Sequence, residues 1–226
     1  GDEDLIYGRG WRGLQFYDVK SGAKVGPLID ITGAWVDFLP ATRTYVVTSG
    51  DSSVVYVCKK KFESITTLDL GQPYQSHGVN SKETLIAVAM EDGNVDIWDL
   101  NKGVKVNDSL KHDAEVEGVV FHPYNDRYIF TFMDGGNLYG WDRKDGNVFM
   151  GPVSLPSGRG LYINTDGTVL TARANNGRVY RVPVQIPQHG IKYSTWLPGL
   201  ANSMVGFRID DSGGHETLNR EESLQL

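Results

Sequence analysis

Gly8, Gly10 and Gly13 in "GRGWRG" have the G-x-G-x-x-G spacing that lets a backbone approach a pyrophosphate. The motif works only where a helix follows and turns its first N–H groups to the phosphate. Here "LQFYDV" follows, alternating as a strand does, so the glycines read as a hairpin turn and no nucleotide site is expected. The histidines are His77, His112, His122, His189 and His215, and none pairs with another His or a Cys at metal-ligand spacing. Cys58 is the only cysteine, which excludes a disulfide or a cysteine-based zinc site within the chain. Asp18, Asp99 and Asp142 recur at one place in a repeating pattern and serve its turns. Asp108 and Asp113 flank a loop without a partner pattern. Asn107-Asp108-Ser109 matches the glycosylation triplet but no secretory leader accompanies it. Nothing resembles a nucleophile, base and orienting group in one constellation. The expectation is a chain with no catalytic, cofactor or metal residues.

What positions side chains here is a repeat. The stretch "DGNVDIWDL" (Asp92–Leu100) is a tight Asp-Gly turn entering a strand of period two, and "TLIAVAM" before it supplies the other half of a hairpin. Aligning each segment on that turn gives one column through Tyr17, Val57, Trp98, Trp141 and Val182, at intervals of 40, 41, 43 and 41 residues. A second column runs through Phe38, Val79, Phe121 and Ile163, at 41, 42 and 42. Two columns sharing one period fix a repeat of four short strands, a to d. That unit is one blade of a β-propeller. Strand a ends in the second column, strand b is an apolar run such as "YIFTFM", strand c carries the Trp column, and strand d is weaker.

The units resemble WD-repeats. Trp98-Asp99 and Trp141-Asp142 close strand c where that family places its signature, and "FHPYNDRYIFTF" resembles its segment joining strands a and b. His112 lies nine residues before Phe121, in the place of the family's histidine. The resemblance implies a structural hydrogen-bond network of His112, Thr131, Asp134 and Trp141, although Asp134 sits one position early and Asp92 has the usual spacing from its own Trp. It covers residues 5 to 184. The implied fold is all-β: a WD-repeat-like propeller of about four and a half four-stranded blades, a partial ring, over residues 1–184. The first blade lacks strand a and the last lacks strand d, so the chain reads as the C-terminal part of a larger ring whose remaining N-terminal blades would be a partner. Residues 185–226 read as a connector, a short helix through Trp196, Leu200, Met204 and Phe207, and a polar tail. That helical stretch resembles one following the repeats in large bacterial WD-repeat proteins, some carrying a serine/threonine protein kinase domain.

Composition narrows the function. Of 226 residues, 40% are hydrophobic, enough for a sizeable core. The net charge of −6 argues against a nucleic-acid backbone as the main partner. No apolar run is long enough to span a membrane, and the acidic "GDEDLIYGRG" is unlike a signal peptide. The single cysteine fits a reducing, cytoplasmic setting. The reading is therefore a non-catalytic scaffold that holds protein partners, within a larger regulatory protein. Trp11, Trp35 and Tyr74, at turns and strand starts, are candidate anchors. The alternative is a propeller enzyme with a metal or quinone in its central channel, which would need His, Asp or Glu converging there from several blades.

Overall fold

The computed structural model describes residues 5–10, 13–50, 52–59, 62, 64–106, 108–184 and 186, with the backbone of 207–209 and 215–217. Contacts divide the chain into two compact units, Gly1–Val184 and Gln185–Leu226.

In the first unit, strands follow one another as antiparallel neighbours and collect into five sheets. Blade I is β1 (Leu5–Gly10), β2 (Gly13–Asp18) and β3 (Lys24–Ile29). Blade II is β4 (Trp35–Leu39), β5 (Thr44–Thr48), β6 (Val54–Lys59) and β7 (Ser64–Asp69). Blade III is β8 (Tyr74–Val79), β9 (Leu85–Met90), β10 (Asn94–Asp99) and an outer strand broken into β11 (Val104–Lys105) and β12 (Leu110–Lys111), both paired to β10. Blade IV is β13 (Val116–Phe121), β14 (Tyr128–Met133), β15 (Asn137–Asp142) and β16 (Asn147–Ser154). Blade V is β17 (Gly158–Ile163), β18 (Val169–Ala174) and β19 (Val179–Pro183). Two three-stranded end sheets and three complete ones make the partial ring of about four and a half blades.

The pattern of the strands explains the stacking. Every residue of β14, and all but Leu85 of β9, is buried, because the second strand of a blade is covered on both faces. Its sequence is accordingly a continuous apolar run, not an alternation. The core therefore lies between blades. Val46, Val55, Val57 and Leu68 of blade II meet Ile86, Val88 and Met90 of blade III in one cluster. Ala87, Val95 and Ile97 of blade III meet Val119, Ile129 and Trp141 of blade IV in the next. Each interface hides faces that no single blade can hide alone.

The glycines of "GRGWRG" sit in a hairpin: Gly10 pairs with Gly13 and β2 continues as a strand. In the second unit, β20 (Phe207–Ile209) pairs with β21 (His215–Thr217), Phe207 opposite Thr217. This corrects the expected helix at its last apolar position, since Phe207 opens a strand. Phe-Arg-Ile alternates with period two, and Gly213-Gly214 interrupts any helical run before His215. Trp196, Leu200 and Met204 lie outside the described residues.

Candidate functional site

Thr131 is the hub of the polar joint between blades III and IV. Trp141 Nε1–H donates to Thr131 Oγ1 at 2.9 Å, and His112 Nε2 lies 2.8 Å from the same oxygen. His112 Nδ1 reaches the Gly93 carbonyl at 3.0 Å in the β9–β10 turn. Directions follow: Nδ1–H donates to Gly93, and bare Nε2 accepts the Thr131 hydroxyl proton. Burial keeps the His112 pKa below its ordinary value, opposed by the Gly93 and Leu110 carbonyls and by Asp113.

Asp134 stands outside this network. It is exposed, and its amide donates to the Glu115 carbonyl at 2.9 Å. The β14–β15 turn, "MDGGN" against "MEDGN" in blade III, puts glycine where Asp92 stands, which is why the carboxylate falls one place short. Val57 also needs a correction. Trp98 pairs with Ile86, and Ile86 with Val79; in blade II the matching set is Cys58, Tyr45 and Phe38. The β5–β6 turn carries one residue more, since Ser52 and Ser53 share the two hydrogen bonds that Gly93 makes alone. Cys58, not Val57, is thus the structural equivalent of Trp98; Cys58 and Val57 are both fully buried, and burial raises the Cys58 thiol pKa to about 12.

Trp98 occupies the column without the network. Val88 replaces Thr131 in the register, Leu70 makes the backbone bond that His112 makes, and Trp98 Nε1 has no hydrogen-bond partner among the described residues. Tyr17 is half-buried in the column of blade I and Val182 is buried in that of blade V. Asp18, Asp99 and Asp142 build three like turns. Their carbonyls accept from Gly22, Gly103 and Gly146 at 2.8, 2.8 and 2.9 Å. Their carboxylates accept from Ser21, from Asn101 and Lys102, and from Lys144. Asp142 also takes Arg127 Nε at 2.6 Å.

The solvent-facing site is the wall made by the leading strands. Strands β8, β13 and β17 line one cleft of about 450 Å³, and β4 joins them through His77 Nε2 and Asp37 Oδ2 at 2.9 Å. That hydrogen bond holds the Asp37 carboxyl below the usual range. Each of β8, β13 and β17 carries a bulge near its start, leaving Gln75, Glu117 and Arg159-Gly160 outside the ladder. Bulges re-aim side chains. Here Arg159 Nε meets Glu117 Oε2 at 3.5 Å. Burial raises the Glu117 pKa against the pull of Arg159, with Asp134 and Glu115 adding to the rise. Three large rings on these strands are exposed: Trp35 66% and Phe38 52% on β4, and Tyr162 64% on β17 beside the cleft. Tyr74, by contrast, is buried, and Trp11 lies outside the described residues. His77, Glu117 and Arg159 fall outside the two apolar columns. Their signal was the recurrence of a polar residue before glycine, His77-Gly78, Glu117-Gly118 and Arg159-Gly160, near the same period.

Among the described residues, no group of three or more His, Cys, Asp or Glu is placed to hold a metal ion. No described helix is long and apolar enough to cross a membrane.

Comparison with known proteins yields short likenesses. The chain is 36% identical to human nucleoporin Nup43 over 63 residues, covering 27% of this chain and 17% of that protein. It is 32% identical to the protein transport protein sec31 of Neurospora crassa over 80 residues, covering 33% of this chain and 6% of that protein. The chain thus spans under a fifth of the length of the curated relatives it matches. No family model matches it. Among solved structures, the computationally designed Ika8 protein superposes with a TM-score of 0.62 at 14% identity, covering 83% of this chain and 58% of that one. At that identity the likeness bears on the fold alone.

Proposed function

We propose that this chain is a non-catalytic protein-interaction scaffold whose docking surface is the wall formed by β4, β8, β13 and β17. The observation that carries the reading is the exposure of Trp35, Phe38 and Tyr162 on these leading strands. Large rings held open by a rigid frame are favoured interface anchors. The propeller fold and the short likenesses to Nup43 and sec31 support a WD-repeat family and a role in holding protein partners. N-terminal blades of a larger ring are a further proposed partner, as neighbours of the first blade. A cytoplasmic setting belongs to the same proposal. A tie to a bacterial kinase-linked protein rests on the sequence of residues 195–213 alone. The propeller-enzyme alternative has no observation in its favour.

The test is quantitative capture of proteins by the wild-type chain, a Trp35→Ser/Tyr162→Ser variant, and a Tyr124→Ser variant. Tyr124 is 76% exposed in the loop between β13 and β14 and belongs to none of the leading strands. A partner held by the wild type and by Tyr124→Ser should be lost about tenfold or more from the double variant, as for hot-spot removal. Equal capture by all three would place the docking surface elsewhere.

A further inference from the structure

Strand β4 sets an exposed indole and an exposed carboxylate on one face, two residues apart. Its ladder with β5 runs without a bulge from Trp35 opposite Thr48 to Leu39 opposite Thr44. Trp35, Asp37 and Leu39 therefore share one side, and Val36 and Phe38 the other. The packing identifies the sides. Leu39 joins the core between blades II and III, and Asp37 meets His77 of β8, whereas Val36 packs into the core shared with blade I. Trp35 thus stands on the blade III side, about 7 Å along the strand from Asp37.

The carboxylate is held in a set orientation. An ionised carboxylate only accepts, so His77 Nε2–H donates to Asp37 Oδ2 at 2.9 Å. The His77 side chain is mostly covered, and the buried ring of Tyr74 meets the imidazole edge-on at 5.7 Å. The bond from His77 keeps the Asp37 carboxyl below its usual range, against the opposing effect of burial, so the group is an anion at neutral pH. Half of the Asp37 side chain stays open to solvent. Among the described residues, nothing donates to its Oδ1, and no lysine or arginine lies within ion-pair distance of it.

An open indole face and an open carboxylate oxygen on one rigid strand call for the same ligand. Indole is the best aromatic partner for a cation, and a guanidinium stacks on a ring while its edge N–H groups donate to a carboxylate. We propose that Trp35 and Asp37 form a receptor for an arginine side chain of the docked partner, the side chain lying along the indole and its N–H groups donating to Asp37 Oδ1. This rests on the reading of the leading strands as a docking surface and names the chemistry that β4 selects. A lysine ammonium, compact and strongly hydrated, does not combine the two contacts in one flat group.

The repeat itself needs neither residue. The register puts Ser76 and Gly78 of blade III, and Gly118 and Val120 of blade IV, at the positions of Trp35 and Asp37. The pair is therefore peculiar to blade II. The charge around it favours a cationic partner. Glu115 and Asp134 are exposed beside the start of β13, Arg159 is turned to Glu117, and the whole chain carries −6.

The experiment is an NMR titration of the isotope-labelled chain near neutral pH with N-acetylarginine amide and, separately, N-acetyllysine amide. The Trp35 indole N–H and the backbone amides of β4 and His77 should shift and saturate with the arginine probe, which should bind about threefold or more tighter than the lysine probe. Asp37→Asn keeps an acceptor for His77 but removes the charge, and Trp35→Leu removes the ring. Each should weaken the arginine probe about tenfold, with the spectrum unchanged away from β4. Unchanged affinity in either variant, shifts that do not saturate, or equal binding of the two probes overturns the proposal. If a variant fails to fold, the wild type decides through nuclear Overhauser contacts. Contacts from the arginine δ-methylene to the Trp35 ring are expected, and their absence contradicts the site. The scaffold reading fails on a different readout, the capture of proteins. A silent arginine probe beside lost capture by Trp35→Ser/Tyr162→Ser overturns the receptor and leaves the scaffold. Saturable binding at Trp35 and Asp37 beside equal capture upholds the receptor and removes the docking wall.

Discussion

Thr131 shows how much one hydroxyl does in a repeat. It accepts from Trp141 and donates to His112, so Thr131→Val would leave a buried indole N–H and a half-buried imidazole nitrogen without these partners. The expected loss is about 1–3 kcal/mol in urea titration, the usual cost of buried groups left unsatisfied. A loss below about 0.5 kcal/mol would mean that the network adds nothing to the packing around it. Much of this residue chemistry is legible in sequence, because indole, imidazole and hydroxyl fall at the spacing of a known repeat. Asp134 and Val57 are not, for a shared reason: the turn between strands b and c varies by one residue or by one glycine. Spacing alone cannot locate a side chain across such a turn. His77, Glu117 and Arg159 are hidden differently, since what they share is a polar residue before glycine and not an apolar column.

At the scale of elements, the strands and hairpins follow directly from period and turn chemistry. What sequence does not show is how tightly one turn is overlaid by the next element. Gly136 (φ 86°) and Gly146 (φ 67°) are both left-handed turn residues of blade IV. A Cβ at Gly136 would run into the Leu155 carbonyl, whereas one at Gly146 meets open space. Gly146→Ala should therefore cost on the order of 1–2 kcal/mol, the left-handed strain alone. Gly136→Ala should cost more, because the clash shifts the β16–β17 connection that Leu155 anchors to Gly136. Equal losses in paired urea titrations would show that the turn moves freely under Leu155. The bulges of β8, β13 and β17 are likewise illegible, because an extra residue changes the face a side chain occupies without changing its type.

Across the whole repeat unit, many contacts between blades join residues about one period apart. Glu83 takes the amides of Ala41 and Thr42, Lys59 reaches Asn101, His77 meets Asp37, and Ser81 donates to the Pro123 carbonyl. Like positions touch like positions, so the blades hold a regular frame and β8, β13 and β17 stay side by side along one cleft. A frame of this kind leaves the rings of Trp35, Phe38 and Tyr162 facing solvent with little freedom to collapse, which is the physical basis of the scaffold reading. The most direct test is a hydrogen-exchange and cross-linking footprint of the chain bound to a captured partner. Protection and cross-links should concentrate on β4, β8, β13 and β17, with Trp35, Phe38 and Tyr162 inside the footprint. A footprint confined to β7, β11, β12 and β16, with these rings as free as in the unbound chain, would contradict the account.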